Sequence, residues 1–134
     1  MTVHLVIVSH SDQIASGVCD LAGQMGGGGV RLIAAGGTEE GGLGTSAPRI
    51  QAALEDALSD PGDAALVLLD LGSAAMNTAL ALELLDEDQR ARVQVAQAPI
   101  VEGAVLAAVS AAGGADLATV AAEAASGRDM PKQL

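Results

Sequence analysis

The sequence predicts an α/β fold: a doubly wound, mainly parallel sheet with helices on both faces. Three observations predict it. Short apolar runs at residues 3–8, 30–35, 64–69 and 93–96 have the length of strands. The segments between them carry apolar residues at helical spacing. Strand and helix alternate throughout, which calls for parallel strands joined by crossover helices. Right-handed crossovers limit the topology, and the simplest doubly wound order is 2-1-3-4, with its switch point between strands one and three. A chain of 134 residues is expected to form one domain, 1–134, with a core over about 3–126 and a polar tail.

Strand one, 3–8, is apolar apart from His4, as in a strand buried on both faces. Ser11 is placed to cap the helix that follows, in which Ile14, Val18, Leu21, Ala22 and Met25 recur at helical spacing. Gly26 to Gly29 end it and read as a flexible turn, since a phosphate loop needs a strand-to-helix context. Strand two, 30–35, leads into a long glycine-rich loop, 36–48, with no lysine after its glycines and hence no Walker pattern. Thr45 or Ser46 can cap a second helix with Pro48 in its first turn and Ile50, Ala53, Leu54, Ala57 and Leu58 as its apolar face. "SDPGD", 59–63, is a turn before strand three, 64–69. A third helix is expected over 74–85, with Met76, Ala79, Leu80 and Leu84 on one side. After a short fourth strand, Pro99 precedes a helix through Val105, Leu106 and Val109, and Asp116 caps a last helix reaching about Ser126. The tail "RDMPKQL" is polar and expected to be loose.

Half of the residues are apolar and none is Phe, Tyr or Trp. The core must therefore be built of Leu, Val, Ile, Ala and Met, which bury less area per residue. A second subunit is expected to cover part of the apolar surface, giving a homodimer. The net charge of -11 argues against nucleic acid and anionic membranes, both of which attract basic patches. No apolar run reaches membrane-spanning length and no signal-like segment opens the chain, so a cytoplasmic location is expected. The lone Cys19 excludes an internal disulfide and reads as a small residue beside a helix face.

The polar quartet Ser9–His10–Ser11–Asp12 follows strand one directly, and Asp70 follows strand three. Ligands of open α/β sheets bind beyond the carboxyl ends of the strands, at the switch point. The topology therefore predicts that His10 and Asp70 are neighbours, about one strand spacing or roughly 5 Å apart. A carboxylate beside an imidazole fixes its tautomer and leaves the other ring nitrogen with the lone pair, ready to attack. Helix N-termini near residues 12 and 74 point unpaired amides into the same crevice, which suits an anion such as a phosphoryl group. No Arg or Lys lies in 9–12 or 70–78, so a partner is expected to supply the neutralising cations. No acidic cluster suggests a metal ion. His4 lies about 20 Å from His10 at ~3.3 Å per residue and reads as structural.

The segments "VIVSHS", "AAGG" followed by "GLGTS", "LLDLGSAAMNTALALELL", "APIVEG" and "VSAAGGAD" occur in order over about 3–126. Together they closely resemble the phosphotransfer subunits, called DhaM, of phosphoenolpyruvate-dependent dihydroxyacetone kinases, whose first domain is similar to the mannose-type IIA domains of the sugar phosphotransferase system. The resemblance implies a phosphotransferase in which His10 is phosphorylated at Nε2 by the carrier protein HPr. It implies transfer onward to ADP held by the DhaL subunit, which works with DhaK, and no cofactor on this chain. It makes Asp70 the carboxylate beside His10. Ser11, Gly72, Ser73, Gly42, Gly44 and Thr45 match positions around the phosphate, and the family is dimeric. Some relatives continue into HPr-like and enzyme I-like domains; this sequence stops after the IIA domain, so the donor is expected to act in trans.

Other readings compete with that one. Mannose transporter IIA domains usually read "GGSP" where residues 71–74 here read "LGSA", which favours the kinase subunit over a transporter component. A receiver-type signalling domain also has an Asp after strand three. It needs an acidic pair after strand one and a lysine near the last strand; here only Asp12 is acidic there, and no lysine precedes Lys132. A non-catalytic dimeric scaffold is the remaining class.

Overall fold

The first strand, β1 (Val3–Ser9), is buried along its whole length, as its unbroken apolar run requires. In the computed structural model, which describes every residue from Met1 to Leu134, β1 is the second strand of a four-stranded sheet. It is followed by α1 (Asp12–Gly23), β2 (Leu32–Gly36), α2 (Ala47–Ala57), β3 (Ala64–Leu69), α3 (Ala74–Glu83), α4 (Glu87–Ala91), β4 (Val93–Val95), α5 (Ile100–Ala112) and α6 (Leu117–Ala125). The sheet order is β2-β1-β3-β4 and every pairing is parallel. This is the expected doubly wound arrangement.

Side chains alternate across the sheet. Val3, Leu5 and Ile7 of β1, with Leu66 and Leu68 of β3, join a core shared with α1, α5 and α6. Val6 and Val8, with Ala65 and Val67, join a second core with α2 and α3. The two cores are the two faces of one sheet. Strand β1 pairs with both neighbours, Val8 with Ala35 of β2 and with Leu69 of β3. That register delivers Ser9 and His10 to the same level as Asp70.

The caps fall as expected for three helices. Ser11 accepts from the Ile14 amide, Ser46 from the Arg49 amide and Asp116 from the Thr119 amide. A short helix absent from the sequence reading, α4, is closed at its start by a reciprocal capping box between Asp86 and Gln89.

The apolar faces of α1 and α3 differ from expectation. On α1 the buried residues are Ala15, Val18 and Ala22, whereas Ile14, Leu21 and Met25 are half-exposed. On α3 they are Ala74, Thr78 and Ala81, and Met76, Leu80 and Leu84 face solvent. Helix α5 likewise buries Gly103, Ala104, Ala107, Ala108 and Ala111 and leaves Val109 exposed. The reason is packing distance: helices that lie close against a sheet seat their smallest side chains in the contact. The tail is also less loose than expected. It begins as a 3-10 turn, Ser126–Asp129, with Gly127 buried against Glu102 and Gly103, and Lys132 Nζ reaches Glu102 at 2.8 Å.

The end of β2 meets the start of α1 very closely. A Cβ on Gly36 would lie 2.6 Å from the Ser11 carbonyl oxygen and 2.8 Å from Asp12 Cα. Glycine there lets the loop after β2 lie beside the exit of β1.

Candidate active site

His10 stands at the carboxyl end of β1, one residue past the strand, and Asp70 stands at the corresponding end of β3. Their side chains meet: His10 Nδ1 is 2.9 Å from Asp70 Oδ1. The carboxylate also accepts from the His10 amide (2.9 Å), the Ser9 hydroxyl (3.0 Å) and the Leu71 amide (2.7 Å). Burial pushes the Asp70 carboxyl up, but these hydrogen bonds from His10, Ser9 and Leu71 outweigh it and hold the group below its ordinary value. Asp70 is therefore an ionised acceptor at neutral pH.

An ionised carboxylate can only accept, so the neutral ring carries its proton on Nδ1 and keeps the lone pair on Nε2. Ser73 Oγ lies 2.9 Å from Nε2 and donates to it. Ser73 occupies the N-cap position of α3 yet makes no capping bond. Its hydroxyl is turned to the imidazole instead, a local rule broken at a site. The His10 side chain is 29% exposed and that of Asp70 12%, so the acid is sheltered while the ring is reachable.

The anion-binding groups expected around the ring divide in two. The amides of Gly72 and Ser73 donate to nothing within the protein, and α3 starts directly after them. They are open donors in the turn that carries the Ser73 hydroxyl to Nε2. The Ser11 amide is occupied, donating to Ser9 Oγ, while its hydroxyl accepts from the Ile14 amide and keeps its own proton to donate. The amides of Gly42 and Gly44 are occupied as well. Gly42 donates to Thr38 Oγ1 at 2.9 Å, and Gly44 donates to the His10 carbonyl at 2.8 Å. Gly44 has φ of +137°, a conformation open to glycine, and so can turn its amide onto β1. Thr45 does not touch the ring; its hydroxyl and carbonyl accept from Asn77 Nδ2 at 2.7 and 3.3 Å.

Ser9, which the sequence places in the polar quartet without a role, and Asn77, which it does not single out, belong to this constellation. The signal for Asn77 was its place four residues after Ser73, one turn along the same helix face. The hydrogen bonds and ion pairs of His10 and Asp70 involve no arginine or lysine. Arg49 Nη2 lies 3.7 Å from Asp12 Oδ1. Leu43, next to Gly44, and Leu71, next to Asp70, are 83% and 61% exposed, and Met76 on α3 is 75% exposed.

The second histidine sits elsewhere. His4 is buried; its Nδ1 accepts from the Arg31 amide at 3.0 Å and its Nε2 lies 2.7 Å from Asp63 Oδ2. Both nitrogens are spent, Nδ1 on the segment before β2 and Nε2 on the turn before β3, so His4 has no free lone pair. Burial, with the charge of Asp20 adding, pushes the Cys19 thiol up to about 11, leaving it un-ionised at neutral pH. No helix is long and apolar enough to cross a membrane.

Known proteins share this fold and sequence. A family model described as EIIA-man, PTS system fructose IIA component, matches residues 4–121. The chain belongs to that family of phosphotransferase-system IIA components. Within it, the chain is similar to DhaM phosphoryl donor subunits of dihydroxyacetone kinases. It is 38% identical to the "PEP-dependent dihydroxyacetone kinase 2, phosphoryl donor subunit DhaM" of Listeria innocua, with 80% of this chain and 84% of that one covered. It is 38% identical to the "PTS-dependent dihydroxyacetone kinase, phosphotransferase subunit DhaM" of Lactococcus lactis, covering 86% and 87%. Against the Escherichia coli K12 DhaM it is 41% identical over 118 residues, 86% of this chain but 25% of that one. The chain thus spans about a quarter of the length of the E. coli relative. A crystal structure of a protein of unknown function, EF1359, superimposes with a TM-score of 0.83 at 33% identity, covering 99% of this chain and 98% of the other.

Proposed function

We propose that this chain is a phosphohistidine carrier, the phosphoryl donor subunit of a phosphoenolpyruvate-dependent dihydroxyacetone kinase. The observation that carries the reading is the division of labour on one ring. Nδ1 is bound to the ionised Asp70, and Nε2, with its lone pair, faces the open side. In the first step the Nε2 lone pair attacks the phosphorus of phospho-HPr. The new N–P bond forms as the donor's N–P bond breaks, and the electron pair returns to the donor ring. No proton leaves His10, because the attacking nitrogen carries none. In the second step a terminal phosphate oxygen of ADP, held by a DhaL subunit working with DhaK, attacks the same phosphorus; the Nε2–P bond breaks, its electron pair returns to His10, and ATP forms.

Asp70 keeps the ring in its attacking tautomer and stabilises the positive charge that spreads onto it when Nε2 bonds to phosphorus. The Ser73 hydroxyl swings from Nε2 to a phosphoryl oxygen, and the Gly72 and Ser73 amides supply donors. Exposed Leu43 and Leu71, each adjacent in sequence to a residue that contacts His10, offer apolar contacts to a docked partner. A docked partner completes the charge balance with its own cations. A homodimer in the cytoplasm, with no resident cofactor and no nucleic-acid or membrane partner, belongs to the same reading.

The test is mass spectrometry after incubation with phosphoenolpyruvate, enzyme I and HPr. One phosphate on His10, acid-labile and base-stable, is expected, with none on His10→Ala and full labelling of His4→Ala. Full labelling of His10→Ala would defeat the reading. The family description as a sugar-system IIA component supports a second reading, a mannose-type transporter component. Phosphorylation of ADP on added DhaL separates the two; a chain labelled by HPr but inert toward DhaL is a transporter component.

A further inference from the structure

Three hydrogen-bonded links and one turn of α3 form a closed circuit around the nucleophile. Ser73, at the start of α3, donates to the ring of His10 at 2.9 Å. The carbonyl of His10 accepts from the Gly44 amide at 2.8 Å. The next residue of that loop, Thr45, accepts twice from Asn77 Nδ2, at 2.7 Å on its hydroxyl and 3.3 Å on its carbonyl. Asn77 stands one helical turn beyond Ser73 on the same face of α3, and this closes the circuit.

The orientation of the Asn77 amide follows from its partners. A main-chain carbonyl can only accept, so the atom facing Thr45 must be the NH2 group. The loop is otherwise weakly tied on this side. Leu43 is almost fully exposed, and the Thr38–Gly42 bonds close the loop only upon itself. Asn77 is only partly exposed and reaches from the second turn of α3 to the start of α2.

We infer that Asn77 is a positioning residue for His10: it holds the 37–46 loop at a fixed distance from α3, and through the Gly44 amide that loop sets the place of the His10 backbone. The inference rests on the reading of His10 as the phosphoryl acceptor. Asp70 and Ser73 grip the ring from the β3 side; Asn77 fixes the opposite grip. Small misplacements of a nucleophile cost large factors in rate.

The experiment uses phosphoramidate, a small donor that needs no docking protein. Nε2 attacks its phosphorus, the P–N bond to the amine breaks, and ammonia leaves with the proton already on that nitrogen. Labelling of His10 is followed by mass spectrometry for the wild type, Asn77→Ala, Thr45→Val and the double variant, with thermal melting alongside. Asn77→Ala is expected to label about 10-fold more slowly, and Thr45→Val, which keeps the carbonyl acceptor, about 3-fold more slowly. The double variant is expected to be no slower than Asn77→Ala alone, since one tether can be lost only once. Wild-type labelling rates for Asn77→Ala, or losses that multiply in the double variant, overturn the inference and leave the carrier reading intact. If Asn77→Ala does not fold, Thr45→Val decides: slowed labelling supports the tether and an unchanged rate refutes it. A wild type that takes phosphate on His10 from neither phosphoramidate nor phospho-HPr refutes the carrier reading itself.

Discussion

At the scale of single residues, Asp70 does three things with two oxygens: it orients a ring, anchors the backbone of His10 and fixes the turn at Leu71. Asp70→Ala should slow phosphorylation by roughly 100-fold without abolishing it at long times, because it frees the ring while leaving the nucleophile. An unchanged rate constant in a quenched-flow labelling experiment would make Asp70 structural only. The same residue links stability to pH. Its folded-state pKa lies below its ordinary value of 3.8, held down by His10, Ser9 and Leu71 against the opposing effect of burial. Burial likewise pushes Asp63 up, yet hydrogen bonds from His4 and the Thr2 amide bring it below 3.8. A depressed carboxyl favours folding above its unfolded pKa, and that contribution disappears as pH falls through the folded value. Stability from these two groups is therefore full above about pH 4 and is lost below it. Melting temperatures of the wild type should fall through that window, and Asp70→Asn should melt with a flatter acid limb.

At the scale of elements, the helices show which contacts matter. The stripe Met76, Leu80 and Leu84 looks like a core face in the sequence, yet Ala74, Thr78 and Ala81 do the packing. Met76→Gln should therefore change stability by no more than about 0.5 kcal/mol. Leu54→Ala, in the buried face of α2, should cost about 2–5 kcal/mol. Chemical denaturation of the two variants checks the contrast. At the β2–α1 contact, a methyl group at residue 36 has nowhere to go, since the atoms it meets are mostly backbone. Gly36→Ala should cost about 1–3 kcal/mol and also slow labelling of His10, because the strain falls on Ser11 and Asp12. A variant as stable and as fast as the wild type would show that this contact relaxes freely. The element order was legible because apolar runs and caps are local. The choice of buried helix face was not, because side-chain size, rather than apolarity alone, decides which face fits close against a sheet.

At the scale of the whole molecule, the chain carries a net charge of -11. A carrier that meets basic faces should lose encounter rate as salt rises, while the transfer step within the complex is spared. Raising ionic strength should lower the second-order rate of labelling by HPr and leave labelling by phosphoramidate nearly unchanged. The sequence by itself determined the alternation of strands and helices, the parallel order and the meeting of His10 with Asp70. Those follow from local periodicity and from chain topology, which brings the ends of β1 and β3 side by side. Only the tertiary structure decided the assignment of donors: Ser73 on Nε2, Gly44 on the His10 carbonyl, and Asn77 holding Thr45. Hydrogen-bond partners depend on where distant loops come to rest, to within a few tenths of an ångström. Spacing along the chain carries no such distance.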